Sequence, residues 1–417
     1  MQGPAAAPLP TDARITTAGA AQPRMGGSAW RRLWPWAGPG RGDRHLGPLK
    51  LLVLQSTGFC NLDCRYCYLA DRHVKSRMDP ALVEPIVRKT IDSGFVKGGF
   101  SLLWHAGEPL TLPPAYYEEA MARMQAGRAA STCSDTDIAV HIQTNGVLIN
   151  AEWCDFIRRQ GVRIGISVDG PADLHDRMRV TRSGGGTHAA TLAGIKRLQD
   201  AGIPFNTITV LTAEALERPE DLLRFYVDAG IRTVGFNVEE IEGENPTSSL
   251  SRVTPEAYAQ FLKRFLELSR RTPGAPRVRE FDAMHRLITG GGDTVVGQFT
   301  PFSIVSVDHL GNFGTFSPEL LDVKSDRYGD FLIGNFKTDD YASAVRSRKY
   351  RRLNRDIAKG VAACRQSCSY FRLCGGGAPA NKYFEHGSFE ATETLYCRLT
   401  KKTVADVVLD DLERQLA

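Results

Sequence analysis

The chain has 417 residues, of which 42% are hydrophobic and 24% charged, and its formal net charge is +5. This composition is typical of a soluble globular protein, and so mild a positive charge gives no reason to predict a nucleic-acid partner. No run of about 18 apolar residues occurs, so we predict no membrane span. The nine cysteines, seven of them in two short groups, favour metal binding in a reducing cytoplasm over a secreted disulfide framework.

Residues 1–47 form the first segment, which is rich in Pro, Gly, Ala and Arg and shows no sustained periodicity. Such a composition buries too little apolar surface to offset chain entropy. We therefore predict a disordered N-terminal tail.

From residue 48, short apolar runs alternate with stretches of helical periodicity. Strands are predicted at 49–57, 100–109, 139–146, 162–170, 204–212 and 233–240. Helices are predicted at 79–94, 114–127, 151–160, 187–201, 219–229 and 254–271. Asp79 is the predicted N-cap of the first helix, with Pro80 in its first position. The alternation predicts an α/β fold with a parallel sheet built from six such units.

Polar segments follow five of these strands. A cysteine-rich segment follows the first, and AGEP, QTNG, SVDG and NVEE follow the second, third, fourth and sixth. Ligands of parallel α/β proteins bind at the carboxyl ends of strands, so we expect these segments to converge on one site.

The segment after the first strand, TGFCNLDCRYCYLADRH, holds three cysteines, Cys60, Cys64 and Cys67. Four thiolates would saturate a zinc ion or a [4Fe–4S] cluster, whereas three leave one metal position open for a small molecule. Zinc bound by the three cysteines and a distant ligand is the alternative interpretation.

The spacing C-x₃-C-x₂-C, with Tyr66 just before the last cysteine, resembles that of radical S-adenosylmethionine (SAM) enzymes. The resemblance implies a partial (β/α)6 barrel over 48–300 and a [4Fe–4S] cluster on the three cysteines, with SAM on its free iron. Reduction then cleaves SAM to a 5′-deoxyadenosyl radical, which abstracts hydrogen from the substrate.

The same resemblance implies SAM-binding residues at the strand ends. They are Tyr66, Ala106, Gly107, Glu108, Asn145, Ser167, Asp169 and Arg179. Ala106 stands where the family has glycine, which is tolerable if its φ is negative. Asn145-Gly146 and Asp169-Gly170-Pro171 could also be simple turns.

A second group of cysteines lies near the C-terminus, at Cys364, Cys368, Cys374 and Cys397. Four thiolates leave no open position, so a structural or electron-transferring iron–sulfur cluster is predicted, with zinc as the alternative. The segment resembles the SPASM extension of radical SAM peptide maturases. An upstream cysteine pair is missing and Ala378 replaces another cysteine, so the resemblance implies one auxiliary [4Fe–4S] cluster in a domain over 301–417. Packing roles are predicted for Cys133 and Cys154.

Residues 47 to about 403 resemble most closely the maturases that build three-residue cyclophanes, including those with glycine-rich-repeat precursors. The resemblance implies a ribosomal precursor peptide as substrate and an external electron donor such as flavodoxin or ferredoxin. The implied product is a bond between a side-chain β-carbon and an aromatic ring carbon. Formylglycine formation, thioether formation and epimerisation are alternatives, and a non-catalytic iron–sulfur protein and a zinc-binding module are more distant ones.

Removal of a proton in this reaction needs a base. Glu239, Glu240 and Asp308 are candidates, although solvated or turn carboxylates would have the same sequence pattern. The glycines of CGGGAPANKYFEHG would allow this loop to lie against a peptide backbone or to form a turn around the cluster.

Overall fold

The structure, a computed structural model, describes residues 46–290 and 297–416. The disordered tail predicted for 1–47 lies outside the described residues except for its last two positions.

One sheet of ten strands dominates the described part of the chain. Its strands are β1 (Leu51–Leu54), β2 (Gly99–Trp104), β3 (Asp137–Thr144), β4 (Arg163–Ser167), β5 (Phe205–Leu211), β6 (Thr233–Val238), β7 (Arg277–Val278), β8 (Ile304–Val307), β9 (Asn312–Thr315) and β12 (Gly334–Asn335). Strands β10 (Lys324–Ser325) and β11 (Gly329–Asp330) form a separate two-stranded hairpin. The spatial order is β12-β9-β8-β1-β2-β3-β4-β5-β6-β7. Neighbours from β8 to β7 in this order are parallel, and β9 and β12 add an antiparallel edge.

Helices connect and follow these strands. They are α1 (Val83–Asp92), α2 (Pro114–Ala129), α3 (Ala151–Gln160), α4 (Ala172–Met178), α5 (His188–Asp200), α6 (Ala213–Leu216), α7 (Pro219–Asp228), α8 (Pro255–Arg271), α9 (Arg279–Ile288), α10 (Tyr341–Arg346), α11 (Arg348–Ser367), α12 (Phe371–Cys374), α13 (Pro379–His386), α14 (Leu395–Cys397) and α15 (Val404–Leu416). Short 3₁₀ helices occupy Pro80–Leu82, Pro109–Thr111, Ser249–Arg252 and Pro318–Leu320, and a π-helical segment occupies Arg398–Thr403.

The α/β fold with a mostly parallel sheet is confirmed, and the six predicted strands are the central strands β1 to β6. Local sequence signals place the helix ends well: the Asp79 side chain accepts from Ala81 N at 2.9 Å, with Pro80 next in the chain. At α3, Asn150 accepts from Trp153 N, and Gly161 ends the helix with a φ of 65°. These are the expected N-cap and left-handed C-cap.

The described residues from 46 onwards pack as one unit. The reason is that β8, which lies beyond residue 300, pairs with β1 along its whole length. A largely continuous apolar core fills the space between sheet and helices, with Trp104, Tyr117 and Phe156 among its largest buried side chains. The boundary predicted at 300/301 therefore remains a sequence-based division. In the ranges that the structure describes, no helix combines the length and apolarity needed to cross a membrane.

Candidate functional site

The segment after β1, residues 57–73, is called here the cysteine loop. Its backbone is fixed against the end of α4 and the chain just after it, because Arg65 N donates to Met178 O and Asp63 N to Val180 O, each at 2.9 Å. Its three cysteines are half-buried and unpaired by disulfides. The loop therefore has a defined path that presents three thiols from one short stretch of chain.

Cations surround these thiols. Arg72 forms an ion pair with Asp63 at 2.7 Å, and Arg182 donates to Cys60 O at 2.9 Å. Burial raises the pKa of the Cys64 thiol to about 11, while the positive charges of Arg179 and Arg72 act in the opposite direction. Iron coordination would deprotonate such thiols, and the neighbouring cations favour the resulting thiolates. The donor set and its surroundings thus suit an iron–sulfur cluster.

Glu108, after β2, links three parts of this edge of the sheet. Its carboxylate accepts from Leu110 N at 2.9 Å, Thr144 Oγ1 at 2.7 Å and Asn145 N at 2.8 Å. Its own backbone N donates to Phe59 O in the cysteine loop at 2.8 Å. Burial raises the pKa of Glu108, and its three hydrogen bonds lower it. The structure thus gives Glu108 a clear role in assembling the site, and its contact with SAM stays a prediction.

The backbone just before Glu108 differs from expectation. Ala106 has a φ of 71°, so the condition under which alanine would be tolerated here without strain, a negative φ, is not met. Gly107 has a φ of 66°, and a Cβ atom there would lie 2.5 Å from Thr57 O and 2.7 Å from Phe59 O. Two consecutive left-handed residues turn the chain so that its backbone lies against the cysteine loop. Ala106 accepts an unfavourable conformation to maintain this contact.

Asp169, after β4, connects the cysteine loop to the centre of the sheet. It accepts from Tyr66 Oη at 2.5 Å, Arg179 Nε at 3.0 Å and Val210 N at 3.0 Å. The Arg179 guanidinium lies 5.3 Å from the centre of the Tyr66 ring. This buried ion pair holds Tyr66 in place, and through Tyr66 it holds the middle of the loop.

Two further hydrogen bonds complete the connection between strand ends. Asn145 Nδ2 donates to Asn61 Oδ1 in the cysteine loop at 2.8 Å, and Gln143 Nε2 donates to Ser167 Oγ at 3.0 Å. All eight predicted SAM-binding residues therefore lie in or beside the ends of β1 to β4, at one edge of the sheet.

The three candidate bases have different surroundings. Glu239 accepts from Ser249 N at 2.7 Å and also from the Ser249 hydroxyl, which places its carboxylate at the start of a 3₁₀ helix. Asp308 accepts from Leu310 N and Asn312 N, at 2.8 and 2.9 Å, in the turn between β8 and β9. These two carboxylates thus stabilise local structure. Glu240 instead accepts a long-range hydrogen bond of 2.5 Å from Asn381 Nδ2 on α13.

Glu240 belongs to a group of half-buried carboxylates, called here the carboxylate cluster, that also contains Glu242 and Glu319. Burial is the main cause that raises the pKa of each carboxyl group. The Glu319 charge raises the pKa of Glu240 further, and the charges of Glu240 and Glu319 raise that of Glu242. The run of glutamates in NVEEIEGE signals the first two in the sequence. Glu319 lies far away in the chain, so sequence reasoning missed it.

Two more polar side chains near this edge were not predicted. Tyr68 Oη lies 3.4 Å from His105 Nε2, just after β2. Burial lowers the pKa of His105 to about 4, so its imidazole is neutral at physiological pH. Its position beside the AGEP segment could have drawn attention to it.

The four C-terminal cysteines line one small cavity. Cys364 lies near the end of α11, Cys374 ends α12, and Cys397 ends α14, where Thr394 caps the short helix. Within residues 46–290 and 297–416, no three His, Cys, Asp or Glu side chains converge closely enough for a single metal ion. Because these four thiols line one cavity without converging on a single ion, they suit a [4Fe–4S] cluster, whose thiolate ligands bind separate irons.

The glycine run after Cys374 forms part of the cavity wall. Gly375, Gly376 and Gly377 have φ values of 74°, 123° and 78°. A Cβ atom on Gly376 would lie 2.8 Å from Val361 Cγ2. This arrangement supports the turn around the cluster. Of the two cysteines outside the groups, Cys154 is buried as predicted, whereas Cys133 is exposed and its predicted packing role was wrong.

Comparisons with known proteins agree with this geometry. The sequence profile of the Radical SAM superfamily matches residues 54–226. The uncharacterized protein sll1766 of Synechocystis sp. is 46% identical over 374 residues, which cover 89% of this chain and 94% of that protein. The serine-type anaerobic sulfatase-maturating enzyme of Bacteroides thetaiotaomicron is 24% identical over 378 residues, covering 84% and 87%.

Among solved structures, native anSMEcpe with bound AdoMet and Cp18Cys peptide has a similar fold. The TM-score is 0.70 at 21% identity, and the match covers 88% of this chain and 99% of the other. The profile match spans the cysteine loop and the ends of β1 to β5, where the site residues lie. The chain therefore belongs to the radical SAM superfamily, whose enzymes use a [4Fe–4S] cluster and SAM.

Proposed function

We propose that this enzyme removes two electrons and two protons from a peptide, starting with a hydrogen atom on a side-chain carbon. The observation that carries the proposal is the position of Glu240. It follows β6 at the edge of the sheet where the SAM-side residues lie, and it contacts α13, the helix that follows the glycines of the four-cysteine cavity. In this proposal Glu240 accepts the proton, the residues at the strand ends generate the radical, and the four-cysteine cavity holds the electron acceptor.

The roles of the chain's own residues follow from this arrangement. Cys60, Cys64 and Cys67 would hold the first cluster, and the residues at the ends of β1 to β4 would orient SAM. Reductive cleavage of bound SAM supplies the 5′-deoxyadenosyl radical that removes a substrate hydrogen atom. The remaining carbon-centred radical must then lose one electron and one proton. The four C-terminal cysteines would hold the electron acceptor, an auxiliary [4Fe–4S] cluster.

Glu240 is the carboxylate that we assign as the proton acceptor. Burial and the nearby Glu319 charge raise its pKa, so it binds a proton more readily than an ordinary glutamate. It also has fewer internal hydrogen bonds than Glu239 or Asp308. Its pKa rises to about 8, close to the operating pH, where a general base combines a useful ionised fraction with a strong driving force for proton abstraction.

Oxidation of a serine side chain to the aldehyde formylglycine is the chemistry that the relatives favour. The curated sulfatase-maturating enzyme covers most of the chain, and the anSMEcpe structure holds both AdoMet and a peptide. In this reaction the β-carbon radical of serine loses its electron to the acceptor and its hydroxyl proton to the base.

Crosslinking to an aromatic ring is the second candidate, and one feature of the sequence favours it. The C-terminal region has four cysteines, and the additional ones of the fuller SPASM pattern are absent. In this reaction the carbon radical bonds to the ring, and loss of one electron and one proton restores aromaticity, giving a cyclophane. The substrate would be a ribosomal precursor peptide, and a flavodoxin or ferredoxin would supply the initiating electron.

The test is anaerobic incubation of the iron-reconstituted enzyme with SAM, a reductant and two peptides. One is a serine-containing sulfatase-type peptide, and the other is encoded by a short reading frame beside the gene. We expect one peptide to lose two hydrogen atoms. A hydrazide reagent will label an aldehyde but not a crosslink, and fragmentation will locate the bond.

Three cysteine variants provide the controls. Cys60→Ala should abolish SAM cleavage, and Cys364→Ala should leave SAM cleavage but prevent peptide oxidation. The exposed Cys133→Ala should behave like the parent enzyme. Iron-free protein that contains zinc, or SAM cleavage without oxidation of either peptide, would contradict the proposal.

A further inference from the structure

Lys382 is a buried lysine on α13 that faces the four-cysteine cavity. Only 3% of its surface is exposed, and its Nζ donates to Cys364 Sγ at 3.3 Å. Its stem passes close to Gly377, where an added Cβ would lie 3.5 Å from Lys382 Cε. The glycine turn and the lysine thus together form one wall of the cavity.

This ammonium has no acidic partner in the part of the chain that the structure describes. A buried, uncompensated cation is strongly unfavourable, so buried charges are nearly always paired. Lys382 therefore requires an anion within the cavity. Four thiolates around an iron–sulfur cluster provide that anion, since such an assembly carries a net negative charge in either oxidation state.

The other two lysines that line the cavity are engaged elsewhere. Lys402 forms a close ion pair with Glu393, and the Lys401 ammonium lies 5.7 Å from the centre of the Tyr396 ring. Both are also more exposed than Lys382. Lys382 is thus the cation whose field acts on the thiolates with the least screening.

We propose that Lys382 sets the reduction potential of the auxiliary cluster and thereby makes it an effective acceptor for the electron that leaves the substrate. The inference rests on the auxiliary cluster of the proposed function. A positive charge and a hydrogen bond at a cluster sulfur stabilise the more negative, reduced state more than the oxidised state. Lys382 is a positioning residue, because it acts on the cluster and does not touch the substrate.

The neighbouring residue gives this assignment a structural context. Asn381, directly before Lys382 on α13, donates to Glu240. Two consecutive residues of one helix therefore contact the proposed proton acceptor and a ligand of the proposed electron acceptor. This arrangement fixes the two acceptors relative to each other, as the loss of one electron and one proton from the same radical requires.

The test is a redox titration of the reconstituted, full-length enzyme, followed by electron paramagnetic resonance. The variants are Lys382→Met, Lys382→Gln and Lys382→Arg, with Lys402→Met as the matched control from the same cavity. A second set on a Cys60→Ala/Cys64→Ala/Cys67→Ala background assigns the signal of the auxiliary cluster. Iron is measured in every sample.

We expect Lys382→Met and Lys382→Gln to lower the reduction potential of the auxiliary cluster. Lys382→Arg keeps the positive charge and should leave the potential close to that of the parent enzyme. Lys402→Met should shift it less. An auxiliary potential that is unchanged in both neutral variants, with iron retained, would overturn the role of Lys382 and leave the proposed function intact. Absence of iron from the triple-cysteine variant with native lysine would overturn the auxiliary cluster itself. If the neutral variants alone fail to retain iron, while Lys382→Arg retains it, the cation is required for cluster binding and its role as counter-charge is supported.

Discussion

Ala106 and Gly107 bring the backbone after β2 into contact with the cysteine loop, and they do so with two consecutive left-handed residues. Gly107 cannot be replaced without a clash, because Thr57 O lies 2.5 Å from the position of its Cβ. Ala106 has a Cβ and remains in the same region of φ. At the scale of single residues, the site thus contains one required glycine and one strained alanine.

Ala106→Gly should raise the free energy of unfolding by about 0.5–1 kcal/mol. The left-handed conformation costs an L-residue about 1–2 kcal/mol, and the greater flexibility of glycine in the unfolded chain offsets about 0.5–1 kcal/mol of the gain. Urea unfolding, followed by tryptophan fluorescence, measures the difference.

Gly107→Ala is the matched control, and it should lower both stability and the iron content of the first cluster, since its Cβ would displace the cysteine loop. A loss of stability in Ala106→Gly would show that the alanine methyl group contributes packing that outweighs the backbone strain.

The chemistry of single residues was largely predictable, but their backbone conformations were not. The spacing of the cysteines and the residues after each strand indicated the ligand types, because these depend on side-chain identity. The sign of φ at Ala106 depends on how β2 meets the cysteine loop, a contact between distant parts of the chain. No local pattern contains that information.

At the scale of elements, the six central strands and the longer helices between them were predicted closely, whereas β7, β8 and the short helices α4 and α6 were not. The central strands have clear apolar runs, and their helices have caps such as Asn150 and Gly161. Strand β7 has only two residues, and β8 pairs with β1, from which it is separated by most of the sequence. Such pairing depends on long-range packing, which single-sequence periodicity does not report.

The contact between the end of β6 and helix α13 leads to a prediction about Glu240. Glu240→Gln keeps the size of the side chain and removes its ability to accept a proton. We expect 5′-deoxyadenosine formation to continue while oxidised peptide falls by about 100-fold, a typical loss when a general base is removed. Chromatography of the nucleoside and mass spectrometry of the peptide measure both products in one sample.

Glu239→Gln is the matched control, because Glu239 is adjacent in sequence but caps a 3₁₀ helix. It should lower stability and leave the ratio of oxidised peptide to 5′-deoxyadenosine unchanged. Equal ratios in Glu240→Gln and the parent enzyme would assign proton removal to another group.

At the scale of the whole molecule, the carboxylate cluster joins the end of the sheet to the C-terminal region. Glu240 and Glu242 follow β6, whereas Glu319 belongs to a 3₁₀ helix after β9, and the charges of Glu385 and Lys401 also act on Glu240. The strand order β9-β8-β1 folds the C-terminal part of the chain onto the sheet that carries the SAM-side residues. Sequence reasoning found the two cysteine groups separately, but it could not show that Glu319 interacts electrostatically with Glu240 and Glu242.

These carboxylates make stability depend on pH, which Glu319→Gln should reveal. Burial raises the pKa of Glu319 to about 7, above the ordinary glutamate value of 4.5. Between these two values the native state binds more protons than the unfolded state, so the free energy of unfolding falls as pH rises. The penalty is complete above the native pKa and absent below the unfolded one.

Glu319→Gln removes this penalty. The variant should therefore be more stable than the parent by about 1–3 kcal/mol at pH values above about 8, and the difference should shrink to near zero at about pH 4.5. Relief of repulsion should also make Glu240 and Glu242 easier to ionise, since both carry the Glu319 charge among the causes of their raised pKa. Urea midpoints across this pH range, with the exposed Glu217→Gln as a control, test the prediction. A stability difference that does not change with pH would contradict the raised pKa of Glu319.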